Sequence, residues 1–272
     1  MVVKPLPLPQ RLRSGPLFGT LIVSESPRWL DVVGHCGLDF VFIDTEHVAL
    51  DRGSVAWMCQ SYARAGLPPL VRIPSPDPYS ATMVLDGGAA GVVAPYVETV
   101  EQVRALRGAV KLRPVKGLKL QGLLAGERAS RPLDDYLARS ARERALIINI
   151  ESVPALENLE ALVAEPGVDG VLIGPHDLSC SLEVPEQYDH PRFKAAVKRI
   201  FQTARQAGIG AGIHLFGRSV AQSREVIGWG ATFYIHWSDI QLFSHHLAAE
   251  VAQLRGSTAR GKQAGRVRAE AI

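Results

Sequence analysis

Three cysteines in 272 residues, Cys36, Cys59 and Cys180, are too scattered and odd in number for a disulfide framework and point to a reducing, cytoplasmic setting. No apolar run approaches membrane-spanning length. Prolines alternate through MVVKPLPLPQRLRSG, where a signal peptide would need an unbroken apolar centre. No GxGxxG follows an early strand, which disfavours a doubly wound dinucleotide-binding sheet. Net charge is also scarce. Of 30 Lys/Arg and 27 Asp/Glu, five bases but one acid fall in Arg255–Ile272, so the remaining chain is nearly neutral and presents no nucleic-acid face. Residues 257–272 read as a basic, disordered tail.

What the chain does have is apolar content, 47% of its residues, and a regular alternation. The runs LFGTLIVS, FVFIDTEH, PPLVRIP, GVVAPYV, ALIINIE, VDGVLIGP, GAGIHLF and ATFYIHW have strand character, and an amphipathic stretch follows each. Eight such units predict one α/β domain, a (β/α)8 barrel over residues 17–256, with residues 1–16 as an N-terminal extension. The longest interruption, Lys111 to Asp135, is rich in cations and glycine and reads as a loop that folds over a site or stays mobile.

In such a barrel the functional groups stand at the C-terminal ends of the strands. Strand two ends in Asp44, Thr45, Glu46 and His47, strand three at Arg72, strand five in Asn149 and Glu151, and strand six in His176 and Asp177. Glu151 and Asp177 close consecutive strands of ALIINIESVPALENLEALVAEPGVDGVLIGPHDLS, so they should meet at one mouth. Two carboxylates there repel unless a cation or a shared proton separates them, and oxygen donors of this kind suit Mg²⁺ or Mn²⁺. Both are equally compatible with helix caps. His214 and His236, among apolar and aromatic neighbours, read as core or rim histidines, and Cys180 as a small buried thiol. No lysine ends a strand, which counts against a Schiff-base mechanism.

The runs GLDFVFIDTEHVALD, LVRIPSPDPYSATMVLDGGAAGVVAPYVETVEQVRAL and the Ala145–Ser179 stretch have an order and spacing that resembles the HpcH/HpaI family of class II, metal-dependent pyruvate aldolases, across Leu17 to Leu254. The resemblance implies cleavage or formation of a 4-hydroxy-2-oxo acid, to or from pyruvate and an aldehyde. It places the metal ligands on Glu151 and Asp177, with Mg²⁺ or Mn²⁺ expected and Co²⁺ an alternative. It places the base on His47, its paired aspartate on Asp86, and the arginine contacting the keto oxygen on Arg72. Asn149, His176 and Asp177 are further candidates for holding substrate. A homo-oligomer, hexamer or trimer, is implied, with the last helix SDIQLFSHHLAAEVAQLRG exchanged between subunits and apolar on Ile240, Phe243, Leu247 and Val251.

This sequence departs from the family pattern at several positions. Asn149 stands where the family carries glutamine and Thr45 where it carries glycine. The run PVKGLKL (114–120) lacks an arginine and a glycine of the family motif, and His236 and Trp237 are bulky where the family is small. Two other readings stay open. One is a CoA-thioester lyase of the citrate lyase and malyl-CoA lyase group, with Arg113, Lys116 and Lys119 on the nucleotide phosphates. The other is a non-catalytic barrel that binds a 2-oxo acid.

Overall fold

The computed structural model describes residues 6–256, so the basic tail at 257–272 lies outside the described residues. A short helix α1 (Leu8–Ser14) opens the fold. Eight parallel strands then close into a barrel in sequence order: β1 (Leu17–Leu21), β2 (Phe40–Asp44), β3 (Pro69–Arg72), β4 (Gly91–Ala94), β5 (Ala145–Asn149), β6 (Gly170–Ile173), β7 (Gly210–Leu215) and β8 (Phe233–Ser238). The helices between the first five strands are α2 (Pro27–Gly34), α3 (Arg52–Arg64), α4 (Pro78–Asp86), and α5 (Val100–Lys111), α6 (Gly117–Leu124) and α7 (Arg131–Arg142) in succession. Further on come α8 (Val153–Glu157), α9 (Leu159–Ala164), α10 (Pro175–Ser181), α11 (Pro191–Gln206), α12 (Val220–Gly228) and α13 (Asp239–Leu254).

All eight expected strands form, and the two-residue period of each decides what faces the barrel axis. Phe40, Phe42, Leu70, Val93, Ala145, Ile147, Leu172, Phe233 and Ile235 fill the interior. Their neighbours Val41, Ile43, Val71, Val92, Leu146, Ile148 and Val171 face the helical ring. Gly212 makes room for the Phe233 ring, since a Cβ there would enter it. Extending the inward register by one step reaches Asp44, Arg72, Asn149 and Gly174, so the same alternation that packs the interior also aims the C-terminal edge.

The structure differs from the sequence reading in three places. The N-terminal extension is not peripheral: α1 lies across the N-terminal end of the barrel, with Leu8 and Leu12 buried against the interior cluster. Leu12 approaches so closely that a Cβ on Gly210 would stand 2.7 Å from its carbonyl oxygen. Arg11 and Arg13 anchor α1 through Asp39 and Asp169, each at 3.0 Å.

The interruption at 111–135 is largely helical, because Leu120 and Leu124 of α6 pack over Gly108 of α5, and Leu137 buries one face of α7. It also lies at the end opposite the expected site. Lys111, at the C-terminus of α5, donates to Asp169, just before β6, at 2.5 Å and to the carbonyl of Arg144, just before β5. The stretch VPALENLEALVAE breaks into α8 and α9 at Asn158, whose Nδ2 donates to the Glu98 carbonyl at 2.9 Å.

Candidate active site

The best-defined element of the C-terminal edge is an arginine held by two carboxylates. Asp44 and Arg72 are direct partners in the β2–β3 register. The guanidinium donates Nε–H to Oδ1 at 2.8 Å and Nη2–H to Oδ2 at 2.5 Å, a two-point fork. Glu46 Oε2 lies 3.1 Å from the same Nε, an ion pair without a hydrogen bond. Burial alone would raise the Asp44 carboxyl, but the guanidinium outweighs it and holds the group below the usual range. The same pairing overrides desolvation at Arg72 and keeps it charged. Thr45 donates its hydroxyl to the Arg72 carbonyl at 2.6 Å, which ties β2 to β3.

Glu151 is buried at the end of β5. Its Oε1 accepts from the Tyr96 backbone N–H at 2.7 Å and its Oε2 from Asn149 Nδ2 at 2.7 Å. Burial pushes its carboxyl up to about 7 despite both bonds, and the nearby charges of Asp177 and Glu46 act in the same direction. Gly174, one residue past β6, is what lets Asp177 come near. A Cβ at that position would stand 2.6 Å from Glu151 Oε2 and 3.4 Å from Asp177 Oδ2. The two carboxylates thus converge over a backbone without a side chain, Glu151 buried and Asp177 open to solvent. Asn149 Oδ1 is buried without a hydrogen-bond partner.

These groups fit a hard divalent cation: two oxygen donors of like charge meet in one place, one of them a carboxyl that burial keeps from ionising at its ordinary pH. Among the described residues no third His, Cys, Asp or Glu completes a cluster. Mg²⁺ commonly takes one or two carboxylates and leaves its other positions to substrate and water.

His47 and His176 stand at the rim, both partly exposed. His47 Nε2 is 3.6 Å from Glu46 Oε1. His176 Nδ1 is buried without a hydrogen-bond partner, 3.9 Å from Glu186 Oε1. Cys180 is exposed, contrary to the buried thiol expected, because α10 turns it outward with Sγ 4.0 Å from His176 Nε2. His214 does behave as a core histidine. Burial pushes it down to about 3, and its neutral ring, 4.0 Å from that of Phe216, donates from Nε2 to the Trp237 carbonyl at 3.1 Å. His236 is half-buried, and burial lowers it too.

Asp86 is not brought to this edge. It ends α4 near the N-terminal end of the barrel, exposed and paired with Arg113, so within one chain it cannot orient His47. Arg113, Lys116 and Lys119 belong to the same end, which removes them from any phosphate site at the C-terminal mouth of their own barrel. Sequence reasoning gave no role to three residues that the geometry makes prominent. Asp44 and Glu46 flank Arg72 and were legible as acids in DTEH. Tyr96 was not legible: it adopts φ +54°, an unusual conformation for a bulky residue, and presents its N–H to Glu151.

A closed (β/α)8 barrel with an arginine and carboxylates gathered on its C-terminal edge defines the chain as one of the barrel enzymes. More narrowly, it belongs to the HpcH/HpaI aldolase/citrate lyase family, whose sequence profile matches residues 18–246. It is 30% identical over 255 residues to a 2-keto-3-deoxy-L-rhamnonate aldolase of Klebsiella pneumoniae, covering 93% of this chain and 94% of that one. It is 34% identical over 243 residues to a hydroxypyruvate/pyruvate aldolase of Paraburkholderia phytofirmans, covering 86% and 92%. The crystal structure of an HpcH/HpaI aldolase/citrate lyase family protein from Burkholderia cenocepacia is 28% identical and superimposes with a TM-score of 0.77 over 91% of this chain and 98% of that chain.

Proposed function

We propose that this chain is a divalent-metal-dependent aldolase that cleaves or forms a 4-hydroxy-2-oxo acid, with pyruvate and an aldehyde as the other partners. The observation that carries this reading is the convergence of Glu151 and Asp177 over Gly174 beside the fixed guanidinium of Arg72. Glu151 and Asp177 hold the metal, Mg²⁺ or Mn²⁺ with Co²⁺ admitted. When bound, it supplies Lewis-acid stabilisation of the enolate left by carbon–carbon cleavage.

The protein's own groups do the rest. Arg72 presents a positive charge to the keto oxygen of the pyruvate unit, and Asp44 and Glu46 keep that charge from moving away. His47 takes the proton of the C4 hydroxyl directly or through water. Asn149 Oδ1 and the His176 ring, each with an unpartnered buried atom, are available to the substrate or its water. The reaction thus needs no lysine.

A homo-oligomer completes this reading. Asp86 can reach His47 only from a second copy. Ile240, Phe243 and Leu247 on α13 are exposed, Phe243 at 60%, and would be covered in a trimer or hexamer. The proposed setting is the cytoplasm; among the described residues no helix is long and apolar enough to cross a membrane. The test is a coupled assay of pyruvate release from a panel of 4-hydroxy-2-oxo acids. Release that requires Mg²⁺ or Mn²⁺ and stops with EDTA is expected; release indifferent to EDTA, or none from any acid, overturns the proposal.

A further inference from the structure

The end of the barrel away from the active site contains an open concavity of about 740 Å³, lined by residues of α1, α5, α7 and the Pro166–Gly167 turn. That size falls within the range of small-molecule sites. Its walls are charged, with five cations, Arg13, Arg107, Lys111, Arg128 and Arg142, against three carboxylates. One carboxylate, Asp169, is already neutralised twice, by Lys111 at 2.5 Å and Arg13 at 3.0 Å. A second, Glu127, lies 3.8 Å from Lys119, and Asp134 is the third.

Arg107, Arg128 and Arg142 form no ion pair among the described residues. They reach the cavity from three separate segments, which argues against a merely solvated helix face. Gly167, at φ +95°, lies flat against the stems of Arg107 and Lys111, and a Cβ there would stand 3.5 Å and 3.1 Å from their Cγ atoms. Three guanidinium forks around one hollow match an anion that presents several oxygens in different directions, which phosphate does and a single carboxylate does not.

We propose that this cavity binds a small phosphorylated molecule, at a site separate from the catalytic edge. Asp169 links the two ends: its Oδ2 also accepts the Leu146 N–H at 2.9 Å, and its carbonyl accepts the Gly210 N–H at 2.8 Å. β5 and β6 run from this point to Asn149, Glu151 and Asp177. The proposal does not depend on which reaction the catalytic edge performs.

Titration calorimetry of the full-length, metal-free chain with inorganic pyrophosphate, at ionic strength held constant with chloride, tests it. One saturable site per chain is expected, weakened at least tenfold by Arg107→Gln, Arg128→Gln or Arg142→Gln. Arg199→Gln, which removes an exposed arginine paired with Glu160, should leave it unchanged. Arg128 and Arg142 are exposed, so their variants keep the test decisive if Arg107→Gln folds poorly. The absence of a saturable site, or equal affinity in wild type and the three cavity variants, would overturn the proposal.

Discussion

Arg72 and Asp44, neighbours in the β2–β3 register, share two hydrogen bonds of 2.8 and 2.5 Å at the inner edge of the barrel. The pair is almost fully buried, so neither charge tolerates loss of the other. Arg72→Ala should destabilise the fold by roughly 3–5 kcal/mol, the cost of stranding a buried carboxylate. Arg72→Lys keeps a charge but loses the fork, and kcat/KM should fall by about 10²–10³. Urea unfolding and steady-state kinetics of the two variants check these outcomes.

Burial pushes the Glu151 carboxyl up to about 7 in the fold, against the 4.5 of an unperturbed glutamate. Between those values the metal-free native state holds a proton that the unfolded chain has released, so its stability should fall as pH rises across that window. Glu151→Gln should flatten the slope and stabilise the metal-free protein above pH 7 by on the order of 1–3 kcal/mol. Asn149 can accommodate the new amide by turning its unpartnered Oδ1 toward it. Thermal melts in EDTA from pH 5 to pH 8 measure both effects.

A metal bound by Glu151 must displace that proton. Affinity for Mn²⁺ should therefore decline about tenfold per unit as pH drops below 7. Glu151→Ala and Asp177→Ala should each weaken binding by more than an order of magnitude in calorimetric titration. Unchanged affinity in both would remove these carboxylates from the ligand set.

Gly174→Ala tests the same site without removing a donor. The added methyl would stand 2.6 Å from Glu151 Oε2, so the carboxylate must move. Metal affinity and kcat should both fall at least tenfold, while the circular dichroism spectrum matches that of the wild type.

Asp169 is buried and accepts from Lys111, Arg13 and the Leu146 N–H. Asp169→Ala leaves the Lys111 ammonium, which burial already pushes down, without its carboxylate. A loss of about 3–5 kcal/mol in urea unfolding is expected.

The strands were legible because burial imposes a local pattern on them, and the polar residues ending FVFIDTEH and ALIINIE stood out against apolar runs. The convergence of Glu151 with Asp177 followed from strand adjacency. What could not be read depended on partners far apart in sequence. Nothing local in PLPQRLRS shows that Leu12 will press on Gly210, nor does KLRPVKGLKL show which end of the barrel it covers. The pairing of His47 with Asp86 failed within one chain for the same reason: a motif gives order along the sequence, and the barrel sends a strand end and a helix end to opposite poles.

The position of α1 has a consequence for the order of folding. Leu8 and Leu12 precede all eight strands in the sequence, yet the surfaces they bury against include β5, β6 and β7. The apolar face of this helix, Leu8 and Leu12, has its packing surface only once β5, β6 and β7 are in place. The barrel can then be stoppered only as one of the last events of folding, so removing Leu8–Ser14 should impair the final step far more than the early ones.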